Sequence, residues 1–435
     1  MRTCFKETSE KFEMRRLVLL FVVLIYTQLS APAQQPGHIF APNIATVKFS
    51  PRGNPLAPAI FRLGSGDQLE LHFDDLDGNV KNYSYTYKLC NADWSPAILS
   101  TFDFISGFTQ MRLTNYRVSS ISLTKYTHYQ AVLPERNSMP SRSGNYLVIV
   151  FADGDPTKII FTRRLLVVDQ KADVALQILQ PFNGINFRSS QKLQFSVNTS
   201  RLNMMNPMQQ VSVCLIQNNR WDNYISNIRP TFVRQGMLEY NTETDALFQG
   251  GREWRWLDLR SFRLQSDRVE KADYGKSGTD VFVKPDLDRS QQRFVFYRDN
   301  NGMFYTETAE NINPFWQADY ATVHFRFVPP GNQAFQGKEL YLTGELTNYG
   351  DMSKARMVFN PETGMYETSL FLKQGYYDYG YATRESATAR PSFEFTEGNY
   401  WETENNYMIL VYYRALGGRA DELIGVTQLN SMVGR

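Results

Sequence analysis

Apolar and polar residues alternate along much of the chain. In residues 69–73 every second side chain is apolar, and the same period continues through the tyrosines of residues 83–89. A period of two places one set of side chains on a core face and the other in solvent, so it predicts β-strands. Asp77-Gly78-Asn79 lies between the two runs and predicts a hairpin turn, since glycine tolerates positive φ.

Residues 146–151 are apolar on both faces, which is typical of a central strand. Aromatic residues make up 14% of the chain, and Tyr and Phe suit a pleated, half-buried surface. No long segment has the period of an amphipathic helix. The sequence therefore predicts an all-β fold of tandem immunoglobulin-like, early-set β-sandwich domains.

The strand runs fall into three blocks, at residues 34–168, 174–314 and 316–435. A polar linker at 169–173 separates the first block from the second. Within the second block, residues 250–288 lack clear alternation and exceed an ordinary connection in length, so they predict a long irregular insertion. We expect each block to fold as a β-sandwich of its own, because about 400 residues suffice for two to four domains.

The third block contains a strand with a glycine turn at residues 340–349, and tyrosine-rich sequence at 364–367 and 375–379. This order resembles the early-set sandwich of glycogen-binding and starch-branching modules. The resemblance implies a glucan-binding face, because those modules stack sugars on Trp side chains. Here Tyr349 stands where a Trp is expected and a second Trp has no match, which makes glycan binding doubtful.

The N-terminal residues have the order of a secretory signal. A basic start at Met14-Arg15-Arg16 precedes the apolar residues 17–29, and Ala31-Pro32-Ala33 supplies small residues for cleavage. We predict a signal peptide over residues 1–33, with translation starting at Met14 and the mature chain at Gln34. The apolar run is too short for a comfortable membrane span, although an uncleaved anchor is the alternative.

Charge argues against nucleic acid and anionic lipid as partners. The chain carries 46 Lys and Arg against 44 Asp and Glu, and residues 1–33 hold five of the basic and three of the acidic side chains. The mature chain is therefore close to neutral and has no electrostatic attraction to polyanions. Cys90 and Cys214 lie in different blocks, so we expect two buried free thiols and no disulfide.

Motifs for catalysis, cofactors and metals are missing. The four His residues are not at metal-ligand spacing, and no HExxH, CxxC, GxSxG, P-loop or dinucleotide-binding motif occurs. We expect His72 and His324 to be solvent-facing strand residues. The sequence thus predicts no catalytic, cofactor-binding or metal-binding residue and no enzyme activity, with an unrecognised enzyme site as a rival interpretation.

A family resemblance covers nearly the whole mature chain. Its motifs occur in order at residues 85–94 (YTYKLCNADW), 126–129 (YTHY), 143–147 (SGNYL), 255–261 (RWLDLRS), 399–407 (NYWETENNY) and 411–414 (VYYR). They are similar to those of the plug protein of the Bacteroidetes type 9 secretion system, a family long called a domain of unknown function. The resemblance implies a periplasmic protein at the inner face of the outer membrane. It implies that the protein closes the outer-membrane translocon barrel and binds that barrel as its partner.

Two non-alternating segments, at residues 93–108 and 252–264, are rich in aromatic side chains, and the second is also rich in Arg. Aromatic and Arg side chains are the types enriched at interface hot spots. The candidate partner-interface residues are Trp94, Phe102, Phe104, Phe108, Trp254, Arg255, Trp256 and Arg260. The alternative is that these side chains cap the ends of the sandwiches.

Two further function classes stay open at this point. An outer-membrane barrel also has a period of two, but it needs strands of about 10 residues with apolar outer faces. A periplasmic glycan-binding protein, acting through the early-set-like third block, is the other alternative.

Overall fold

The computed structural model describes residues 35–202, 204–234, 236–350, 352–386 and 389–433. The predicted signal peptide and the predicted mature start at Gln34 lie outside these residues. Strands account for 45% of the structure and helices for 5%, which confirms the predicted all-β fold of tandem β-sandwiches. The described residues from Gly37 onward belong to one compact unit.

The first sandwich takes all of its strands from the first predicted block. Its strands are β1 (Ile44–Pro51), β2 (Ile60–Arg62), β3 (Leu69–Asp75), β4 (Tyr83–Cys90), β5 (Ile105–Gly107), β6 (Gln110–Arg112), β7 (Asn115–Val118), β8 (Thr127–Leu133), β9 (Ser138–Pro140), β10 (Gly144–Ala152) and β11 (Ile159–Val168), with a 3-10 turn at Thr101–Asp103. One sheet has the order β1-β3-β8-β7 and the other β2-β11-β10-β4-β6, while β5 pairs with β9. Alternate side chains of both sheets meet in one core, so the period of two decides which residues are buried.

The predicted hairpin at Asp77-Gly78-Asn79 is corrected by the strand pairing. Gly78 has a φ of 70°, as a tight turn requires. However, β3 pairs with β1 and β8, whereas β4 pairs with β10 and β6 in the opposite sheet. The turn therefore crosses from one sheet to the other, because the apolar faces of both strands bury in the same core.

The second sandwich begins with strands from the second block. They are β12 (Asp173–Leu179), β13 (Ser190–Asn198), β14 (Val211–Gln217), β15 (Ile225–Ser226), β16 (Phe232–Arg234), β17 (Met237–Tyr240) and β18 (Leu247–Gln249), with a one-turn helix, α1, at Pro207–Gln210. One of its sheets has the order β12-β13-β17-β16, and β18 also pairs with β13.

The third sandwich lies between the two parts of the second along the chain. Its strands are β19 (Arg255–Asp258), β20 (Val269–Tyr274), β21 (Thr279–Val283), β22 (Asp286–Leu287), β23 (Phe304–Thr306), β24 (Tyr320–Val328), β25 (Glu339–Thr343), β26 (Val358–Asn360), β27 (Met365–Lys373) and β28 (Gly375–Arg384), with 3-10 turns at Pro330–Asn332, Glu345–Gly350 and Ser353–Ala355. One sheet has the order β19-β28-β23, with β25 also on β28. The other has the order β20-β21-β24-β27-β26, with β22 also on β24.

The last two strands return to the second sandwich. They are β29 (Asn406–Tyr413) and β30 (Glu422–Asn430), and they form the order β15-β14-β29-β30. The ladder between β14 and β29 runs from Val211 opposite Tyr413 to Gln217 opposite Tyr407. Strands from residues 316–435 therefore contribute to two sandwiches, which differs from the prediction of one block for one sandwich.

The predicted irregular insertion at residues 250–288 is also corrected. This stretch contains β19, β20, β21 and β22, which pair with strands of the third sandwich. The sequence of β19 does not show the alternation of a strand, because its two buried positions hold a charged residue, Arg255, and an apolar residue, Leu257.

The predicted linker at 169–173 is packed in the structure. The backbone N–H of Asp169 donates to Leu423 O at 3.0 Å, and that of Ala172 donates to Ile424 O at 2.8 Å. Side chains of β11, β14 and β29 form a further apolar cluster, which joins the first sandwich to the second. Cys90 and Cys214 are free and buried, as predicted, and burial raises the pKa of each thiol to about 12.

Candidate partner-binding surface

Residues 91–109 connect β4 to β6 and contain four of the predicted contact residues. Ala97, Phe104 and Ile105 pack into the first core and so fix the segment at three points. The ring of Phe104 meets Tyr146 edge-on, with the centroids 5.9 Å apart. Phe104 is therefore a core side chain.

Three large apolar side chains of this segment are exposed. Ile98 is 83% exposed, Phe102 80% and Phe108 65%. We call them the exposed apolar segment. Single exposed apolar residues are ordinary, but several on one short segment are characteristic of an interaction site.

The backbone beneath Phe108 is held in place. The N–H of Phe108 donates to Asn137 O at 2.6 Å. Gly107 has a φ of 94°, and a Cβ at this position would collide with the same carbonyl group. Only glycine fits this close approach, so little backbone entropy remains to be lost when a partner covers Phe108.

Trp94 lies at the junction of the first and second sandwiches. Its ring meets Trp221 edge-on at 5.0 Å, and the guanidinium of Arg164 lies 5.2 Å from Trp94 and 5.1 Å from Trp221. Because Arg164 belongs to β11 and Trp221 follows β14, the three side chains join the two sandwiches. Trp94 is half-buried in this cluster.

The second predicted segment supports the third sandwich. Trp254 is buried, and Trp256 is half-buried and stacks on Tyr376 with the centroids 6.2 Å apart. Arg260 donates from Nε and Nη2 to Asp258 at 3.0 and 2.7 Å, which fixes the chain just after β19. These contacts account for the aromatic and Arg content of the segment within the sandwich itself.

Arg255 forms a buried ionic network. It donates to Glu397 from Nε at 2.9 Å, to Asp286 from Nη1 at 2.9 Å and to Leu287 O from Nη2 at 2.7 Å. Burial opposes its charge, but Glu397 and Asp286 outweigh burial and hold the pKa of Arg255 above its usual value. A buried Arg with two carboxylate partners joins β19, β22 and the loop that precedes β29.

A second buried network joins the first sandwich to the third. Asp74 of β3 accepts from Lys373 Nζ at 2.6 Å, from Tyr320 OH at 2.6 Å and from His128 Nδ1 at 2.7 Å. Burial favours the neutral acid, but Lys373 and His128 outweigh it, so the pKa of Asp74 lies below its usual value. No local pattern predicts this pair, because Asp74 and Lys373 are 299 residues apart in the chain.

The prediction that His72 faces solvent is wrong. Its ring stacks on Phe315 with the centroids 4.3 Å apart, and its Nδ1 lies 3.1 Å from His128 Nε2. Burial, and then the charge of His128, lower the pKa of His72 to about 3. Burial also lowers the pKa of His128, so both rings are neutral at physiological pH. His128 then donates to Asp74, and His72 donates to His128. His324 is partly exposed and bonds to Asp280 at 2.8 Å.

The proposed glycan-binding position is occupied by protein contacts. The ring of Tyr349 is half-buried and lies 6.5 Å from Trp254 and 5.9 Å from the Arg220 guanidinium, so it packs against other protein groups. Among the described residues, no group of three or more His, Cys, Asp or Glu side chains is placed to hold a metal ion. No helix in the described part of the chain has the length and apolar character needed to cross a membrane.

Comparison with known proteins adds two findings. Residues 44–169, which make up the first sandwich, match the family model described as type 9 secretion system plug protein first domain. A hypothetical protein from Parabacteroides merdae ATCC 43184, whose crystal structure has been solved, is 28% identical in sequence to this chain. The two structures superpose with a TM-score of 0.87. The match covers 91% of this chain and 99% of the P. merdae chain. No curated protein matches the sequence.

Proposed function

Because the first sandwich of the chain matches the model of the type 9 secretion system plug protein family, we propose that the chain is a non-enzymatic plug. It seals the periplasmic mouth of the outer-membrane translocon of that system when no cargo is engaged. It acts in the periplasm, at the inner face of the outer membrane, and its partner is the translocon barrel.

The observation that carries the proposal is the family match of residues 44–169. The packing within the molecule supports it, since a stopper in a wide pore must keep its shape. Close-packed cores resist deformation, and the three sandwiches each have one. The Asp74–Lys373 pair further opposes separation of the first and third sandwiches, because separation would leave both charges without a partner in a desolvated site.

We further propose that the exposed apolar segment contacts the translocon. It lies in the sandwich that matches the family model, and its backbone is already ordered. Covering one exposed Phe stabilises a complex by about 1.5–3 kcal/mol before association entropy is deducted. Ile98, Phe102 and Phe108 therefore offer three large apolar side chains to a partner.

The function is tested by deletion. A strain lacking the protein becomes sensitive to a large antibiotic that the outer membrane normally excludes, and it does so only when the translocon barrel is present. An equal rise in sensitivity in a strain without the barrel contradicts the plug function.

The contact surface is tested by a double variant, Phe102→Ser with Phe108→Ser, in a co-purification experiment with the barrel. The matched control is Phe182→Ser with Ile185→Ser, since these residues are at least as exposed (85% and 86%) but lie in the second sandwich. The first pair lowers recovery of the barrel and leaves the melting temperature unchanged, whereas the control pair changes neither. Equal loss with both pairs, or with neither, refutes this surface.

A further inference from the structure

A cavity of about 370 Å³ lies between the second and third sandwiches. The second sandwich contributes Arg220, Asn223 and Phe248 to its lining, and the third contributes Arg252 and Trp254. This volume is in the range of small-molecule sites, and its polar groups and aromatic rings are of the kinds that such sites combine. The plug function makes no use of this cavity.

Three lining residues have buried polar atoms without a hydrogen-bond partner among the described residues. These atoms are Asn223 Oδ1, Arg252 Nε and Glu253 Oε2. Native proteins leave few such atoms, because each one loses its bonds to water without replacement. Their occurrence around one cavity suggests that a bound molecule supplies the missing partners after small side-chain adjustments.

Arg252 is a buried cation in the lining of this cavity. Its Nη1 donates to Arg289 O at 2.7 Å and to Gln292 O at 3.2 Å, and its Nη2 donates to Arg293 O at 2.6 Å. No carboxylate of the described residues forms an ion pair with it. The contrast is with Arg220 and Arg289, which pair with Asp222 and Glu397.

The remaining donors of Arg252 define a chemical preference. A guanidinium has five N–H groups, and three are used by the carbonyl oxygens, so Nε–H and one other N–H are left. Two adjacent N–H donors match the two oxygens of a carboxylate. Burial, and then the charge of Arg289, lower the pKa of Arg252, which is consistent with a site short of negative charge.

Glu253 does not supply that negative charge in full. Burial raises its pKa to about 7, and the charges of Asp299 and Glu404 act in the same direction. A substantial fraction of Glu253 is therefore neutral at physiological pH. Asn223 Oδ1 in turn accepts from an O–H or N–H of the occupant.

We propose that this cavity binds a small organic carboxylate that has an apolar group and a hydroxyl or amide N–H beside its carboxyl group. The carboxylate pairs with Arg252, the donor reaches Asn223, and the apolar group lies against Phe248 and Trp254. Hydroxy acids and N-acylated amino acids, including the end of a peptide, share this chemistry. The inference does not depend on the plug function.

The test is calorimetry and thermal shift on the full mature chain with two pairs of probes. N-acetylphenylalanine is compared with its carboxamide, and mandelate with mandelamide, so that only the carboxylate differs within a pair. We expect a dose-dependent rise in melting temperature with at least one acid, and at least tenfold weaker binding of the matching amide. The preferred acid distinguishes the acylated amino acid from the hydroxy acid.

Variants assign the binding to the cavity. Arg252→Lys retains a positive charge but loses the paired donors, so it binds the acid at least tenfold more weakly, and Asn223→Ala provides a second test if Arg252→Lys fails to fold. Arg260→Gln, in the same sandwich but away from the cavity lining, leaves binding unchanged. Equal binding of acid and amide, binding of neither at millimolar concentration, or full affinity in both cavity variants overturns the proposal. Tighter binding of a neutral disaccharide such as maltose also overturns it.

Discussion

Asp378 is a buried carboxyl whose protonation in the folded protein can be tested by substitution. It lies in β28 with no solvent exposure, and its carboxyl accepts from the backbone N–H groups of Asn300 and Gly302. Burial, and then the charge of Asp299, raise the pKa of Asp378 from 3.8 to about 8. At pH 7 the folded protein therefore holds a proton on Asp378 that the unfolded chain has released.

The free energy needed to keep Asp378 protonated in the fold determines how strongly stability depends on pH. From pH 4 to pH 7 the unfolded carboxyl ionises while the folded one does not, so the free energy of unfolding falls by about 1.4 kcal/mol per pH unit. Over about three units this reaches roughly 4 kcal/mol. Asp378→Asn keeps the shape and one acceptor oxygen but never ionises. We expect it to raise the free energy of unfolding at pH 7 by about 2–4 kcal/mol and to leave it nearly unchanged at pH 4.

Urea unfolding of both proteins at pH 4, 5, 6, 7 and 8 measures this difference. The gap between variant and wild type widens as pH rises and levels off above pH 8. Asp153→Asn, an exposed control that breaks a surface pair with Lys158, leaves the pH dependence unchanged. If Asp378→Asn destabilises the protein equally at every pH, Asp378 is ionised in the fold and the reasoning is refuted.

Three further predictions concern packing and order. Arg255→Met leaves Asp286 and Glu397 with weaker compensation in a buried site, and we expect a loss of about 3–5 kcal/mol in urea unfolding; a loss below about 1 kcal/mol contradicts the network's role. Phe104→Ala lowers the melting temperature, through a loss of about 3–5 kcal/mol, whereas Phe102→Ala leaves it nearly unchanged; equal effects contradict the assigned burial. Chymotrypsin cuts first at Phe182, which is 85% exposed, and trypsin spares the packed residues 169–173; early cleavage there contradicts the hydrogen bonds to β30.

Local alternation was sufficient to predict individual strands. The period of two in residues 83–89 became β4, whose side chains alternate between buried and half-buried up to Lys88. Residues 146–151 became part of β10, which lies between β11 and β4 and is buried on both faces. In each case the burial of one or both faces of the strand selects apolar residues at every inward position. This pattern can therefore be read from a single sequence.

The pairing of distant strands and the burial of particular side chains could not be predicted from the sequence. No local feature of β14 indicates that its neighbour is β29, and the turn at Gly78 has the same residues whether it joins one sheet or two. Phe102 and Phe104 are the same residue type and lie two positions apart. Phe102 is nevertheless exposed, whereas Phe104 is in the core, where its ring packs against Tyr146. These outcomes depend on contacts between distant parts of the chain, which spacing within one segment does not record.

The pairing of β14 with β29 determines the order in which the molecule can be completed. The first sandwich needs only residues 44–168 and the third only residues 255–384, so both have all of their strands before residues 406–430 are made. The second sandwich must wait, with an apolar edge of β14 uncovered while the third folds. A chain that stops short of residue 406 is therefore not a protein missing its last domain. Its first and third sandwiches have all of their strands, whereas its second sandwich is incomplete and exposes apolar surface. Chaperones bind such incomplete proteins and proteases degrade them.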